Sequence, residues 1–431
     1  MRHREEVLSF IKKNPEELTV TELSRLSEIV NNSRVDTAAY YTDEILLNEI
    51  GENLPDIEKK TIRILEPSVG TGNFIQLIVN KYRDAERLII DVNDIDEKSI
   101  EIAKLLNQLR DIPRNIEINY FVEDFLNPFF FRKYDLVVGN PPFSKLSNNT
   151  GLADYAQTFS DNVTKNLSAF FLQKAVEMGD KVVMILPKYF LSSDEFSLTR
   201  NRISQYRIDK ILDFGEKGFK GVLIETIAIF MDTQKKPEKT ISYSITFDIR
   251  NEQSQKKLTH SEFNSWLIYR DSFFDEIAGK MKFGIFKVFR DRQLTNSILK
   301  DKGDVRVLKS RNISRDGKSF LEIAGYDAFV DRKQVAKFSV SKYFERDDVY
   351  LAPNMTYYPR VIKKPKNTLV NGSVAILENI SGQKIKKEQL EFLSGSVFEK
   401  FYRIARNYST RSLNIDNNSV QFFGLYEGES E

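Results

Sequence analysis

The sequence has no cysteine and only two histidines among its 431 residues. Without cysteine, disulfides, zinc–thiolate sites, iron–sulfur chemistry and a cysteine nucleophile are all excluded. The last exclusion removes methylation of cytosine at carbon 5, which needs a cysteine to attack the ring. Because His3 and His260 are the only histidines, histidine-centred catalysis is disfavoured as well, and we predict no metal site.

Long apolar runs are also missing. No segment approaches the roughly 18 apolar residues of a membrane span, and the N-terminus lacks the apolar core of a signal peptide, so we expect a cytoplasmic protein. The composition is 41% hydrophobic and 29% charged, which is typical of a globular chain with a sizeable core. Its length suggests about two to three domains.

The charges are distributed unevenly along the chain. Residues 1–235 contain 30 Lys and Arg against 37 Asp and Glu, whereas residues 236–431 contain 34 against 25. The balances of −7 and +9 give the net charge of +2. A polyanion would therefore be bound mainly by the C-terminal part, although an ordinary basic surface explains this feature equally well.

The pattern of apolar residues changes along the chain. Residues 5–30 have helical spacing, interrupted at Asn14-Pro15, and predict a helical extension over residues 1–35. From residue 62 to residue 231, short apolar strands alternate with helices. This alternation predicts an α/β fold with a Rossmann-like, doubly wound and mainly parallel sheet, whose ligand binds beyond the carboxyl ends of the strands.

The segment from Glu66 to Phe74 places two glycines between a predicted strand and a predicted helix. Gly70 and Gly72 permit a tight turn and close approach of a ligand, and the helix that follows presents free N–H groups. No Gly-Lys-Ser/Thr follows, so the segment is not a phosphate-binding P-loop. Taken alone, a Gly-x-Gly turn is also compatible with an ordinary connection.

Acidic residues follow the next two predicted strands. Asp94 lies at the first strand end, where a carboxylate can bind both hydroxyls of a ribose, and Asp91 or Asp96 could take the same role. Asp124 lies at the second, where it can accept a hydrogen bond from an adenine amino group, with Phe125 packing on the ring. The glycine turn, Asp94 and Asp124 follow three successive predicted strands, and together they favour a nucleoside-like cofactor.

Asn140-Pro141-Pro142-Phe143 follows the strand-like run 134–139. The side-chain oxygen of Asn140 and the carbonyl of Pro141 can accept the two hydrogens of an exocyclic amino group and orient its lone pair. The two prolines hold this backbone rigid, and Phe143 can stack on a base. A proline-rich loop with a packed phenylalanine is the alternative for this tetrapeptide alone.

In this order, the motifs resemble those of the N6-adenine-specific DNA methyltransferases of the gamma motif order, a type II restriction-modification methylase family. The resemblance covers roughly residues 37–232, and it includes Tyr40-Tyr41-Thr42-Asp43 as the N-terminal cofactor-contacting motif. It implies the class I methyltransferase fold and S-adenosylmethionine as cofactor. The implied cofactor-binding residues are Tyr41, Thr42, Glu66, Ser68, Gly70, Gly72, Asn73, Phe74, Asp94, Ile95, Asp124, Phe125 and Asn140.

The resemblance also implies a substrate, an adenine flipped out of double-stranded DNA. Phe219 falls where the family places an aromatic residue against the second face of that base. Residues 36–240 would form the catalytic domain, 241–290 a connecting segment, and 291–431 an α+β target recognition domain. The DNA contacts that we predict there are Lys309, Arg311, Lys363 and Lys364.

Several alternatives and partners remain open at this point. Asn-Pro-Pro-Phe also occurs in enzymes that methylate ribosomal RNA bases or a glutamine amide of proteins, and a non-catalytic specificity subunit could retain the fold. Enzymes that methylate the cytosine amino group usually have serine in place of Asn140. A cognate restriction endonuclease would be a separate chain, and we expect a monomer, with a dimer as the alternative.

Overall fold

The computed structural model describes residues 2–14, 16–30, 44–147, 151–218, 224–355, 358–410 and 414–428. The chain forms two compact units, Met1–Lys256 and Lys257–Glu431, which we call the N-terminal and C-terminal units. The predicted roles of Tyr41, Thr42 and Phe219 fall outside the described residues.

The N-terminal unit begins with three helices, α1 (Arg2–Lys13), α2 (Val20–Val30) and α3 (Glu44–Asn53). The break between α1 and α2 occurs at Asn14, as the sequence predicts. The side chain of Asn14 bonds the backbone of Leu18 there, accepting from its N–H at 2.8 Å and donating to its carbonyl at 2.9 Å. A small apolar cluster joins α1 and α2 to a later helix through Val7, Ile11, Leu23, Ile102 and Leu106.

The predicted alternation of strands and helices then follows. The elements are β1 (Thr61–Glu66), α4 (Asn73–Tyr82), β2 (Arg87–Asp94), α5 (Glu97–Gln108), β3 (Ile116–Val122), β4 (Tyr134–Gly139), α6 (Leu152–Thr158), α7 (Leu167–Met178), β5 (Gly179–Pro187), α8 (Ser197–Ile203), β6 (Arg207–Gly215), β7 (Thr226–Asp232), β8 (Lys239–Ser244) and β9 (Ile249–Ser254). All nine strands belong to one sheet in the order β3-β2-β1-β4-β5-β7-β6-β8-β9.

The sheet is mixed. Strands β1 to β5 pair in parallel, and β7 is antiparallel to both of its neighbours, β5 and β6. Strand β2 is buried except at its two ends, and β7 is buried at every position because side chains cover both of its faces. The parallel topology brings the carboxyl ends of β1, β2, β3 and β4 to one edge of the sheet.

The sheet extends past residue 240, where the sequence suggested that the catalytic domain ends. Strand β8 pairs in parallel with β6, and β9 pairs antiparallel with β8. Residues 239–254 therefore belong to the sheet, because their backbone groups are bonded to it. The predicted connecting segment 241–290 is thus divided between the two units.

The C-terminal unit is α+β. Its elements are α9 (Ser272–Gly279), β10 (Met281–Lys282), β11 (Phe286–Arg290), β12 (Val305–Leu308), β13 (Ala328–Val330), β14 (Val349–Pro353), β15 (Ile362–Lys363), β16 (Leu369–Val370), β17 (Val374–Asn379), α10 (Lys387–Phe392), α11 (Ser396–Ala405), α12 (Asn417–Val420) and β18 (Leu425–Tyr426). A four-stranded sheet, β11-β17-β14-β15, and a three-stranded sheet, β13-β12-β16, share one apolar core. Helices α10 and α11 are separated by a short break, and Gly395 precedes the start of α11.

Candidate cofactor and methyl-transfer site

The turn between β1 and α4 has the geometry of a ligand-binding turn. Gly70 and Gly72 have φ angles of 53° and 82°, in the left-handed region that favours glycine. A Cβ atom on Gly70 would meet nothing within 4 Å, so the backbone is open to a ligand there. Helix α4 has no side-chain cap at Gly72, which leaves its first N–H groups available for a carboxylate.

Asp94, at the end of β2, is fixed against this turn. Its carboxylate accepts from the N–H of Gly70 at 2.9 Å and from the N–H of Asp96 at 3.0 Å. Burial raises the pKa of Asp94, and these N–H donors oppose the shift. Ile95 follows with its side chain 70% exposed, and so it is free to contact a bound nucleoside.

The two alternative acids at this strand have other partners. Asp91 is buried and accepts from the hydroxyl of Tyr134 at 2.9 Å. Asp96 caps α5, where it accepts from the N–H of Lys98 at 3.4 Å and from the hydroxyl of Ser99 at 3.1 Å. Of the three acids, Asp94 is the one bonded to the N–H of Gly70 in the turn among the described residues, so it stays the predicted ribose-binding acid.

Asp124 follows β3, as predicted for the acid that binds the cofactor adenine. One carboxylate oxygen accepts from the N–H of Leu126 at 2.9 Å, and the other accepts from the hydroxyl of Tyr155 on α6 at 3.1 Å. Burial, followed by the charge of Asp124, raises the pKa of Tyr155 to about 12, so the hydroxyl is a donor at neutral pH. Tyr155 was not predicted from the sequence.

Three predicted cofactor residues have buried side chains. Glu66, Phe74 and Phe125 are 1%, 3% and 1% exposed. The ring of Phe125 packs against the rings of Phe130 and Phe171, with centroids 5.8 and 5.0 Å away. We therefore correct the prediction that Phe125 packs on the cofactor adenine: its ring belongs to the interior. For Phe74, burial in the core leaves only the backbone N–H to contact a ligand.

Glu66 is a buried carboxylate rather than an exposed ligand. Burial raises its pKa well above the usual range, and Arg110 opposes that shift. Its Oε2 atom has no hydrogen-bond partner among the described residues. Arg110 is desolvated as well, which lowers its pKa. Glu66 lies at the end of β1, and its binding of the cofactor stays a prediction.

Asn93 joins the strand ends that form the site, and sequence reasoning missed it. Its side-chain nitrogen donates to the carbonyls of Pro67 at 3.3 Å and Glu123 at 3.0 Å, and its oxygen accepts from the N–H of Glu123 at 3.2 Å. It is 1% exposed. In the sequence, Asn93 could have been recognised as a polar residue close to the end of strand β2.

The tetrapeptide lies beside the cofactor turn. A Cβ atom on Gly139, the last residue of β4, would be 3.1 Å from the side chain of Pro67. The hydroxyl of Ser68 donates to the carbonyl of Asn140 at 3.2 Å. Asn140 is half-buried at the edge of the sheet, followed by the buried Pro141 and the half-buried Pro142. The predicted cofactor and catalytic segments are therefore adjacent.

Phe143 and Asn166 fix the segment that follows. The side-chain nitrogen of Asn166 donates to the carbonyl of Phe143 at 3.0 Å, and its oxygen accepts from the N–H of Ser168, capping α7. Asn166 is 1% exposed. Its position as the N-cap of α7 could have been recognised from the sequence, because asparagine is favoured at helix starts. The ring of Phe143 is 5% exposed and belongs to the apolar core of the N-terminal unit, so its stacking on a base stays a prediction.

These residues fit S-adenosylmethionine. The acceptors Asp94 and Asp124 suit ribose hydroxyls and an adenine amino group, and the uncapped start of α4 suits the carboxylate of the methionine part. Acidic groups around the turn also suit a cofactor with a positively charged sulfonium. Within the described ranges, no group of three or more His, Cys, Asp or Glu side chains could hold a metal ion.

The C-terminal unit carries a group of cations and tyrosines. We call it the cationic face, and it consists of Lys309, Arg311, Arg315, Tyr326, Tyr358 and Arg360. Lys309 and Arg311 lie over the ring of Tyr326, at 3.9 and 4.8 Å from its centroid. Arg315 lies 4.6 Å from the centroid of Tyr358. Among the described residues, no carboxylate pairs with Lys309, Arg311 or Arg315, so their charges are available to an anion.

Lys364 does not belong with these cations, which corrects its predicted DNA contact. It is 1% exposed. Its ammonium group donates to three backbone carbonyls, those of Phe344, Arg346 and Pro365, at 3.2, 3.3 and 2.9 Å. Burial lowers its pKa to about 8. Lys363 is exposed, and its ammonium group lies 3.7 Å from a carboxylate oxygen of Asp347.

The sheet order, with an antiparallel β7 between β5 and β6, and the cofactor turn after β1 define a class I S-adenosylmethionine-dependent methyltransferase fold. The crystal structure of the type IIG restriction endonuclease BpuSI has the same fold, with a TM-score of 0.50 at 14% identity, over 95% of this chain and 61% of that one. None of the helices in the described parts of the chain is long and apolar enough to cross a membrane.

The model of the Eco57I restriction-modification methylase family matches residues 8–219. The type II methyltransferase M.VspI of Vibrio sp. (strain 343) is 26% identical over 248 residues, which are 56% of this chain and 59% of that relative. Malonyl-[acyl-carrier protein] O-methyltransferase 1 of Ilyobacter polytropus is 30% identical over 151 residues, 33% of this chain and 53% of that relative.

Residues 8–219 match the model of this restriction-modification methylase family, and S-adenosylmethionine is the cofactor. The chain spans less than two thirds of the length of these relatives. Because the chain spans only part of these relatives, the target of methylation has to be argued from the site.

Proposed function

We propose that this protein transfers a methyl group from S-adenosylmethionine to the N6 amino group of an adenine in double-stranded DNA. The observation that carries the proposal is the contact between Ser68 and Asn140, which holds the amino-binding tetrapeptide against the cofactor turn. This contact supports the proposal because it keeps the tetrapeptide, whose acceptors would bind an exocyclic amino group, beside the turn that we assign to the cofactor. Asparagine rather than serine at position 140 favours adenine over the cytosine amino group.

The reaction is an in-line displacement, and the protein has to orient the nucleophile. The adenine nitrogen is a poor nucleophile because its lone pair is delocalised into the ring. The side-chain oxygen of Asn140 and the carbonyl of Pro141 accept its two hydrogens, which turns the lone pair towards the methyl carbon. A nitrogen–carbon bond forms, the carbon–sulfur bond breaks with its electron pair going to sulfur, and the nitrogen then loses one proton to solvent. The bound cofactor supplies the electrophilic methyl group.

The base has to leave the duplex to reach this position, at a cost of a few kcal/mol. Stacking on an aromatic ring contributes roughly 1–3 kcal/mol per base, which offsets much of that cost. Phe143 is the aromatic residue of the tetrapeptide, and its ring is 5% exposed. We therefore expect base binding to be coupled to a rearrangement that exposes the ring of Phe143, which is packed in the core of the N-terminal unit.

The cationic face supports DNA as the substrate. Among the described residues, Lys309, Arg311 and Arg315 form no ion pair with a carboxylate. The phosphates of a DNA backbone would supply their counter-charges. The rings of Tyr326 and Tyr358 hold the cations in place and restrict their side-chain freedom. We assign phosphate contacts to Lys309, Arg311 and Arg315, and we propose that a cognate restriction endonuclease, where one exists, is a separate chain.

The test is methylation of duplex DNA by the purified protein with isotopically labelled S-adenosylmethionine, without metal or ATP. Digestion to nucleosides and mass spectrometry should show label in N6-methyladenine. The matched control is Asn140→Ser, which keeps a hydrogen-bond acceptor of the type found in cytosine-specific enzymes. Label in N4-methylcytosine, in RNA or in protein, with none in adenine of DNA, would show that the proposed target is wrong.

A further inference from the structure

Helix α2 lies directly against the cofactor turn. Ser24 and Glu28, one helical turn apart on α2, are 2% and 6% exposed. The hydroxyl of Ser24 donates to the side-chain oxygen of Asn73 at 2.7 Å, and the hydroxyl of Thr71 donates to Glu28 Oε1 at 2.8 Å. The helical extension is therefore bonded to the segment that we assign to the cofactor.

The contacts form one closed network. Glu28 Oε1 also accepts from the side-chain nitrogen of Asn73 at 3.0 Å, and the hydroxyls of Ser24 and Thr71 lie 2.8 Å apart. Both donors to Glu28 belong to the turn, one on each side of Gly72. An acceptor that binds two donors in a buried position restrains both, since a typical hydrogen bond contributes about 0.5–1.5 kcal/mol.

The turn needs this restraint because its backbone is unusual. Gly70 and Gly72 both have positive φ angles, and glycine loses more conformational freedom on ordering than any other residue. Asp94 fixes one side of the turn through the N–H of Gly70. The α2 network fixes the other side through Thr71 and Asn73, so the turn is fixed between β2 and α2.

We propose that Ser24 and Glu28 are positioning residues for the methionine part of S-adenosylmethionine. They act through Thr71 and Asn73, and they set the start of α4 in the conformation whose free N–H groups receive the cofactor carboxylate. The side chain of Asn73, predicted to bind the cofactor, is occupied by this network and contributes through its backbone. The inference rests on the proposed position of the cofactor at this turn, and it does not depend on the methylated base.

The experiment compares two ligands on the full-length protein by calorimetric titration. S-adenosylhomocysteine has both the adenosine and the amino-acid part, whereas 5′-methylthioadenosine lacks the amino-acid part. Glu28→Ala and Ser24→Ala should each weaken S-adenosylhomocysteine binding about tenfold or more and change 5′-methylthioadenosine binding less than about twofold. Glu28→Gln keeps the acceptor oxygen, and so it should restore most of the affinity, to within about threefold of the wild type.

Glu22→Ala is the matched control on the same helix. Glu22 is exposed, and it accepts from the N–H and the hydroxyl of Thr19, both at 2.8 Å, in a capping box at the start of α2. Its removal perturbs the helix start without touching the network, so the affinity for both ligands should stay at the wild-type level. A loss as large as that of Glu28→Ala would mean that general stability of α2 is the cause.

Other outcomes also decide the matter. Equal weakening of both ligands by Glu28→Ala, or wild-type affinity for S-adenosylhomocysteine in that variant, would overturn the proposal. Wild-type protein that binds neither ligand would overturn the cofactor position together with it. The expected binding pattern combined with no methylated adenine in DNA would leave the role of α2 standing and remove only the proposed substrate.

Discussion

The hydroxyl of Tyr155 donates to the carboxylate of Asp124 across 3.1 Å, linking α6 to the strand end assigned to the cofactor adenine. The second oxygen of that carboxylate is bonded to the N–H of Leu126. The adenine amino group of the cofactor would approach the oxygen that Tyr155 already contacts. We therefore predict that Tyr155 and the cofactor compete for the carboxylate of Asp124.

Tyr155→Phe tests this competition. The variant keeps the ring, whose centroid is 5.9 Å from that of Phe170, and removes only the donor. Because the cofactor no longer has to displace a hydroxyl, we expect S-adenosylmethionine to bind about two- to fivefold more tightly in calorimetric titration. Asp124→Ala should weaken binding about tenfold or more. Weaker binding by Tyr155→Phe would mean that the hydroxyl supports the bound state.

The roles of Asn140 and Asp94 should separate in mutants. Asn140→Ala removes an acceptor for the target amino group, and so methyl transfer to DNA should fall about 10²–10³-fold while cofactor affinity stays within severalfold. Asp94→Ala removes the acceptor for Gly70 N–H and for the ribose, and so it should weaken cofactor binding first. Titration with cofactor and single-turnover methylation measure the two effects. Equal loss of cofactor affinity in both variants would contradict the assigned roles.

The sheet and the alignment of its strand ends were predictable from the sequence. Apolar strands that alternate with helices force a parallel sheet, and this topology brings Gly70, Asp94, Asp124 and Asn140 to one edge. Helix α4 follows the glycine turn directly, as the sequence predicts. The spacing of apolar residues is enough to predict such helices and strands, because it shows which of their faces are buried.

The residues that support the site were not predictable in this way. Glu28 meets Thr71 across 43 positions of sequence, and Tyr155 meets Asp124 across 31. Neither contact can be recognised from the neighbouring sequence. On an amphipathic helix, a polar residue that faces solvent and one that faces a buried partner give the same sequence pattern. The burial of Lys364 was missed for the same reason, because its neighbours in the sequence are as basic as those of an exposed lysine.

Lys364 should affect stability at alkaline pH. Its pKa is lowered to about 8 by burial, with Glu345 and Asp347 opposing the shift, while an unfolded lysine titrates near 10.4. The unfolded state thus binds more protons between these values, so the free energy of unfolding should rise with pH from about 8 to about 10.4. At 1.36 kcal/mol per pKa unit, the rise is up to about 3 kcal/mol.

Lys364→Met should flatten this part of the profile, measured by urea unfolding at several pH values. Lys174, whose pKa burial also lowers to about 8, keeps part of the slope in the variant. The matched control is Lys366→Met, since Lys366 is exposed and only two positions away. An unchanged slope in Lys364→Met, or an equal change in Lys366→Met, would contradict the buried role of Lys364.

The last prediction concerns DNA binding by the cationic face. Each bound phosphate releases counterions, so the logarithm of the binding constant falls with the logarithm of salt concentration by about 0.9 per phosphate. Replacing Lys309, Arg311 and Arg315 with alanine should therefore reduce that slope by up to about one unit for each phosphate that is no longer bound, with little change in the preferred sequence. Fluorescence anisotropy of a labelled duplex between about 50 and 200 mM salt gives the slope.

The matched control has the same change in charge on the same unit. Lys384, Lys386 and Lys387 are exposed and lie outside the cationic face, so their replacement with alanine should leave the slope close to that of the wild type. Lys364→Met should also leave it unchanged, because a buried ammonium group bonded to carbonyls releases no counterion. If the control triple variant lowers the slope as much as the first, net charge rather than the cationic face determines DNA binding.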